Sequence, residues 1–591
     1  MLTRASFRSI APAHISLTLV GLMWVLPFLY YHHAYPLTTF YQEWGAVLIS
    51  LCAMPVLMGK RYWQRAEVPR IVLLPIGMIL LLLLQYFLGK MPSFDQTLLY
   101  CMYFLWIWLL LMLGNCLREE LGLPALATTL AVFLVIGAEL NALSGIIQHY
   151  RWHTFLNSVV TTQVSSAVYG NIAQPNHFAN YITLGLVSLG LLFATGRIRI
   201  WMAVLMAGPL MFVLVLSGSR GTWLYLLFML GISYLWQRRE RQYLPILKYC
   251  IWLFAGFVLM NFIVQMPWLA GVSGNVTATH RMIADGGSGD IRLYLWKESL
   301  LIFTHYPFFG AGFGQFAWQH FELLPELQNT RIVGLYNNAH NLLMQLAAET
   351  GLAGLTIVFA TLGASVWQAW RAPRSIYQWW GFCILAVLGI HSMLEYPLWY
   401  GYFLGIAAFT LGVMDSKTYR LELHGVGRVM IMMVLLLGTL LLLQLFQGYK
   451  QLEDAMMLRP DSSNYISKRN ENLSNAYGYV LIRPYAELFM SGLTVANSEK
   501  LADKLALNER VMRFVPVASV VYRQVWLLSL ADRLPDAKLQ LQRALWSYPG
   551  EFRKAEQELR RLALKDPVHF SALLEFALQK KEEYQRAVLG K

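Results

Sequence analysis

The sequence predicts an all-α, polytopic membrane protein: a bundle of about thirteen transmembrane helices, a large outer loop, and a C-terminal helical tail. Three observations carry this. Of 591 residues, 57% are hydrophobic and only 14% are charged, where a soluble domain carries about 25% charge. Mean hydropathy is +0.46, and the apolar residues come in blocks long enough to span a bilayer. Basic residues fall in alternate gaps between those blocks.

The blocks lie near 15–31, 44–59, 70–88, 98–116, 124–147, 177–195, 200–217, 222–236, 246–266, 352–370, 376–393, 396–414 and 427–447. The first follows Arg4 and Arg8 and lacks a small-residue cleavage site, so it reads as an uncleaved span rather than a signal peptide. One set of gaps holds Lys60, Arg61, Arg65 and Arg70, then Arg118, Arg197 and Arg199, Arg238, Arg239, Arg241 and Lys248, Arg371 and Arg374, and Lys417, Arg420 and Arg428. The opposite short gaps hold only Lys90, Arg151 and Arg220. The bias puts the first set and the N-terminus in the cytoplasm, and the odd span count puts the tail outside.

Two regions are not membrane. The loop 267–340 is rich in Gly, Asn and His; the tail 448–591 is polar and helical in pattern. The expected division is a membrane catalytic domain, 1–447, and an outer helical domain, 448–591. In the tail, VYRQVWLLSLADRLPDAKLQLQRALWSYP reads as helix, turn at Arg533–Pro535, helix. This is similar to one tetratricopeptide hairpin; a generic helical tail fits equally.

Net charge is +14, but the cations sit between apolar blocks, so topology explains them and no nucleic-acid partner is expected. Five cysteines lie in or beside the spans with no CxxC, and no carboxylate pair, Gly-rich phosphate loop or His/Cys cluster has ligand spacing. Neither metal nor cofactor is expected.

Chemistry-bearing residues cluster on the outer side. Arg220, in LSGSRGTW, is a cation beside hydrocarbon: it either meets an anion or snorkels to the headgroups. Arg281 and Arg292 flank DGGSGD; a guanidinium fork suits a diphosphate, and a solvated loop charge is the plainer reading, favoured for Arg281. His340, in YNNAHNLLMQLAAETGLAG, stands where the loop enters a span, with Asn337, Asn338 and Asn341 around it. A neutral imidazole there can take a proton from a hydroxyl; a structural histidine is the alternative. Glu349, further along, reads as a helix-end charge near the interface. HSMLEYPLWYGY supplies His391 and Glu395 at helical spacing, then Tyr396 before a proline break; an interfacial aromatic belt also explains the tyrosines. GNIAQPNHFANY supplies Gln174, Asn176 and His177, which also read as a helix cap.

Together, GSRGTW, the long loop and HNLLMQLAAETGLAG resemble the O-antigen ligase and polymerase-like membrane proteins. GNIAQPNHFANY, HSMLEYPLWY and the helical tail resemble their PglL-type protein O-oligosaccharyltransferase branch more narrowly. The resemblance covers nearly the whole chain. It implies that Arg220 and Arg292, with Arg281 less clearly matched, hold the diphosphate of an undecaprenyl-linked oligosaccharide, and that His340 is catalytic. Gln174 and Tyr396 match positions that branch uses, with Asn176, Glu395, His391 and Asn341 in support. It further implies a metal-independent, inverting transfer to Ser/Thr of a periplasmic protein such as a pilin, by an inner-membrane enzyme whose site faces the periplasm. A ligase onto lipid A-core and an O-antigen polymerase share this chemistry and differ in acceptor. A transporter of lipid-linked sugars is the reading from another class, though no repeated halves are evident.

Overall fold

A computed structural model of the chain describes residues 12–59, 62–63, 66–272, 288–330, 332–459 and 464–590. Arg281 lies outside the described residues, as do Arg4, Arg8, Lys60, Arg61, Arg65 and most of the glycine-rich stretch before Ser288. The fold is all-α apart from one short antiparallel strand pair among the described residues. Every apolar block falls on a helix. Among the described residues, nine helices are long and apolar enough to cross a membrane; Ile200–Leu216, Ile376–Ser392 and Gly401–Met414 are shorter apolar helices. The remaining block lies on Gly221–Arg239. The chain is a multi-pass membrane protein.

It divides into two compact units: Met1–Gly77, Tyr103–Gly286 and Ile357–Leu443 form the first; Met78–Met102, Gly287–Thr356 and Gln444–Lys591 form the second.

The first unit is built around Pro175–Ala194, in which every residue from His177 to Leu192 is buried. A helix apolar on all sides belongs at the centre of a bundle. Lipid gives helices little hydrophobic reason to associate, so close approach at small residues matters. Gly412 meets the backbone of Leu111 so closely that an added Cβ would clash with the Leu111 carbonyl, and one on Gly114 would lie 2.5 Å from the Phe409 carbonyl. Some cationic segments far apart in sequence meet. Strand Ala66–Pro69 pairs with Thr418–Leu421, Arg70 lies over Tyr419 at 5.2 Å, and Arg118 donates to the Val413 carbonyl at 2.8 Å. Arg374 covers Trp236 at 4.9 Å, and its carbonyl accepts from the Tyr243 hydroxyl at 2.8 Å.

In the second unit the described part of the long loop carries two helices, Ser288–His305 and Phe316–Leu327. Seven tail helices follow, from Tyr465–Tyr477 to Pro567–Leu589. The expected hairpin is present as Ala518–Leu530 and Leu534–Ser547, tied by the Tyr522 hydroxyl donating to the Tyr548 carbonyl at 3.1 Å. The tail does not stand apart from the loop. Phe321 is buried in one hydrophobic core with Val511, Leu541 and Leu545. Arg543 pairs with Glu322 at 3.0 Å, and Gly334 N–H donates to the Ser547 carbonyl at 2.6 Å.

Candidate functional site

In the first unit, Pro175 occupies the first turn of its helix, where a missing N–H costs nothing. Gln174 caps it, its side-chain oxygen accepting from His177 N–H at 2.5 Å. That places Asn176 and His177 one after the other at the helix mouth. Asn176 donates to Glu395 at 2.9 Å. His177 Nδ1 shares a hydrogen bond with His391 Nε2 at 3.2 Å, and His391 Nδ1 another with the Tyr225 hydroxyl at 2.8 Å. With Tyr225 donating, both of these shared hydrogen bonds are made by neutral imidazoles. Tyr225 belongs to the helix that begins directly after Arg220, and a Cβ on Gly221 would lie 3.6 Å from Leu394. Arg220 therefore stands beside the His391–Tyr396 segment.

The Ile376–Ser392 helix ends before Glu395, but Glu395 N–H still bonds to the His391 carbonyl at 2.8 Å, which keeps the two residues one turn apart. Tyr396 and Tyr400 stack at 6.0 Å, and the His177 ring stands edge-on to both. Burial first, then the Glu395 carboxylate, pushes the Tyr396 phenol above its ordinary value. At neutral pH it is a hydrogen-bond donor, not a base. Next to this segment Glu43 accepts from Gly401 N–H at 2.7 Å and from Tyr103 at 3.2 Å; an anion at a helix N-terminus is well placed.

In the second unit His340 sits at the start of Leu342–Arg371 in a left-handed backbone conformation, φ 50°. For a residue with a Cβ this costs about 1–3 kcal/mol and persists only where the surroundings impose it. They do so through the preceding residue, Ala339. Gln345 accepts from Ala339 N–H at 2.7 Å, and Trp296 donates to the Ala339 carbonyl at 3.1 Å. Asn341 then caps the helix, accepting from Leu343 and Met344 N–H at 3.0 and 3.1 Å. Arg292 lies four residues before Trp296 on Ser288–His305, hence on the same face. The fold so brings Arg292 within one helical turn of the side chain that holds the peptide before His340.

Glu349 is not an interfacial charge. It is 1% exposed, takes a hydrogen bond from Gln345 at 2.8 Å and caps the Phe316 N–H at 3.1 Å. The TGLAG motif serves the same anchorage. Gly351, φ 60°, breaks the helix, and Leu352 N–H turns to the Pro307 carbonyl at 2.8 Å. A second buried pair, Glu298 and His320 at 2.7 Å, joins the two loop helices.

Sequence reasoning singled out Gln174, Asn176, His391, Glu395, Tyr396 and Arg220, which lie in the first unit, and Arg292, His340 and Asn341, which lie in the second. It missed the roles of Tyr225, Gln345, Glu43 and Glu349, and treated His177 only as part of a cap. Only the helical spacing of Gln345 and Glu349 offered a signal. No group of three or more metal-ligating side chains occurs among the described residues.

Residues 168–193, around Gln174 and His177, match the Protein glycosylation ligase family. Residues 201–359, which include Arg220, Arg292 and His340, match the O-Antigen ligase family. Residues 379–563, from the last spans into the tail, match the family described as Virulence factor membrane-bound polymerase, C-terminal. A General O-oligosaccharyltransferase of Acinetobacter baylyi is 27% identical over 451 residues, covering 74% of this chain and 75% of that protein. A ComP-specific O-oligosaccharyltransferase of the same organism is 23% identical over 392 residues, 65% of this chain and 68% of that one. The chain is thus a membrane glycosyltransferase of the O-antigen ligase-like family, on its PglL-type O-oligosaccharyltransferase branch.

Proposed function

We propose that this O-oligosaccharyltransferase takes its glycan from undecaprenyl diphosphate and delivers it to Ser or Thr hydroxyls of a periplasmic acceptor such as a pilin. The enzyme then lies in the bacterial inner membrane with its site facing the periplasm. The observation that carries the reading is His340, held in a left-handed backbone at a loop–helix junction, with Arg292 a turn from its anchor Trp296. The acceptor hydroxyl oxygen attacks the anomeric carbon while His340 takes the hydroxyl proton. The bond from that carbon to the diphosphate oxygen breaks, and its electron pair leaves with the lipid diphosphate. Arg292 offers paired donors to the departing oxygens. Arg220 is assigned the same ligand from its GSRGTW motif. Direct displacement inverts the anomeric centre, and the good leaving group needs no metal. Tyr396, Gln174, Asn176, Glu395 and His391 are assigned a supporting role in substrate binding. The tail 448–591 is the outer domain in this reading.

The test is transfer by purified full-length protein in proteoliposomes, from an undecaprenyl-diphosphate oligosaccharide, with a pilin or lipid A-core offered as acceptor. Pilin is expected to gain the glycan by intact mass and lipid A-core is not. His340→Ala should lower the rate by roughly two to four orders of magnitude at normal abundance. Transfer to lipid A-core alone, or full activity in His340→Ala, overturns the acceptor or the base respectively.

A further inference from the structure

We infer that Gln345, backed by Glu349, is a positioning residue that sets the aim of the His340 imidazole. This rests on His340 being the base proposed above. The amide of Gln345 uses both ends. Its oxygen accepts from Ala339 N–H at 2.7 Å, and its nitrogen donates to Glu349 Oε1 at 2.8 Å. Gln345 is 2% exposed and Glu349 1%, so water does not compete for these groups. Glu349 is in turn fixed from two directions. Its side chain accepts from Phe316 N–H at 3.1 Å, and its backbone carbonyl accepts from Gln85 Nε2 at 2.8 Å. The result is a buried ladder, Phe316 to Glu349 to Gln345, that ends on the N–H of Ala339, the residue whose carbonyl forms the peptide preceding His340.

That peptide is where control of a side chain is greatest. A left-handed φ at His340 points its Cβ in a direction no ordinary backbone gives. Trp296 holds the carbonyl of Ala339 and Gln345 holds its N–H. Without Gln345 one of the two restraints is gone, and the residue relaxes toward negative φ. The imidazole then moves by more than the ångström or so that already costs about a hundredfold in rate. Neither Gln345 nor Glu349 need touch substrate. Glu349 acts as an acceptor fixed in place, so an uncharged acceptor of the same shape should do its work.

The experiment measures kcat and KM for full-length protein in proteoliposomes, with a synthetic undecaprenyl-diphosphate oligosaccharide and a purified pilin. Gln345→Met removes its side-chain hydrogen bonds to Ala339, Glu349 and Asn337. Gln345→Asn keeps the amide but is one methylene too short to span its partners, and it decides the matter should the Met variant fold poorly. Both are expected to lower kcat by about 10- to 100-fold with KM for donor and acceptor within about threefold and the pH of the rising limb of the rate unmoved. Glu349→Gln should stay within about threefold of wild type, since its amide oxygen accepts from both partners. The positioning role is overturned if both Gln345 variants keep wild-type kcat while His340→Ala is inactive, or if their loss of rate only tracks loss of folded protein by size exclusion. It is overturned in another way if Glu349→Gln is as inactive as His340→Ala and loses a limb of the pH profile, which would make Glu349 itself a proton-transfer group. Full activity in His340→Ala removes the parent reading instead.

Discussion

The two units hold their histidines in opposite ways. In the first, rings bind rings. His177, His391 and Tyr225 form a chain of side-chain hydrogen bonds across three helices, and the identity of each partner fixes the tautomer of the next. In the second, the backbone is held: Gln345 and Trp296 grip the N–H and the carbonyl of Ala339, the residue before His340. A ring locked by other rings can change protonation only if its neighbours rearrange. A ring aimed through its own backbone has its direction set in part by the chain that carries it. The second arrangement suits a group that must exchange a proton in every turnover; the first suits a rigid wall.

The largest expected effect falls on the scaffold of the second centre. Phe321 joins the loop to the tail core. Phe321→Ala should remove about 3–5 kcal/mol of packing and speed hydrogen exchange in both Phe316–Leu327 and Leu534–Ser547. If only one of those helices loosens, the shared core is not what couples them. Next come the arginines. Arg292→Lys and Arg220→Lys keep the charge but lose the planar fork, and each should cost about 1.5–3 kcal/mol, the worth of a charge-assisted hydrogen bond, in kcat/KM. Wild-type transfer by both Lys variants would leave the diphosphate without these ligands. The smallest effect should come from the first centre. Tyr225→Phe deletes one hydrogen bond and leaves His391 Nδ1 short of a partner, at about 1–3 kcal/mol of stability. It should lower the unfolding temperature while kcat changes less than in either arginine variant. A collapse of kcat at unchanged stability would instead make the ring chain part of the proton path and erase the contrast.

Much of the scaffold was legible because its signals are local. Apolar blocks, the Pro175 start, the Pro397 break and the Arg533–Pro535 turn each act within a few residues, and helices appear at all of them. His340, Arg292 and Arg220 stood out because polar groups at the ends of apolar blocks have few structural reasons to exist. What stayed hidden depends on partners distant in sequence. Glu349 looked like an end charge because its neighbours in the chain are ordinary helix residues; its partner at Phe316 comes from another element. The strand pairing of Ala66–Pro69 with Thr418–Leu421 and the seat of Phe321 in the tail are likewise long-range. Tyr225 sat inside an apolar block, where one hydroxyl among leucines gives no warning of a histidine partner.

The hydrogen bond from Gly334 to Ser547 has a consequence for the order in which the molecule is made. Ser547 leaves the ribosome about two hundred residues after Gly334. At roughly 5–20 residues per second, that is a delay on the order of ten to forty seconds. Through that interval the segment leading to His340 lacks its cover, and Phe321 lacks the core it belongs to. A nascent chain halted before the Leu534–Ser547 helix therefore carries every residue proposed for transfer and still has an unfinished loop. A premature stop there is therefore expected to yield a chain that inserts in the membrane with its loop unfinished and its transfer lowered.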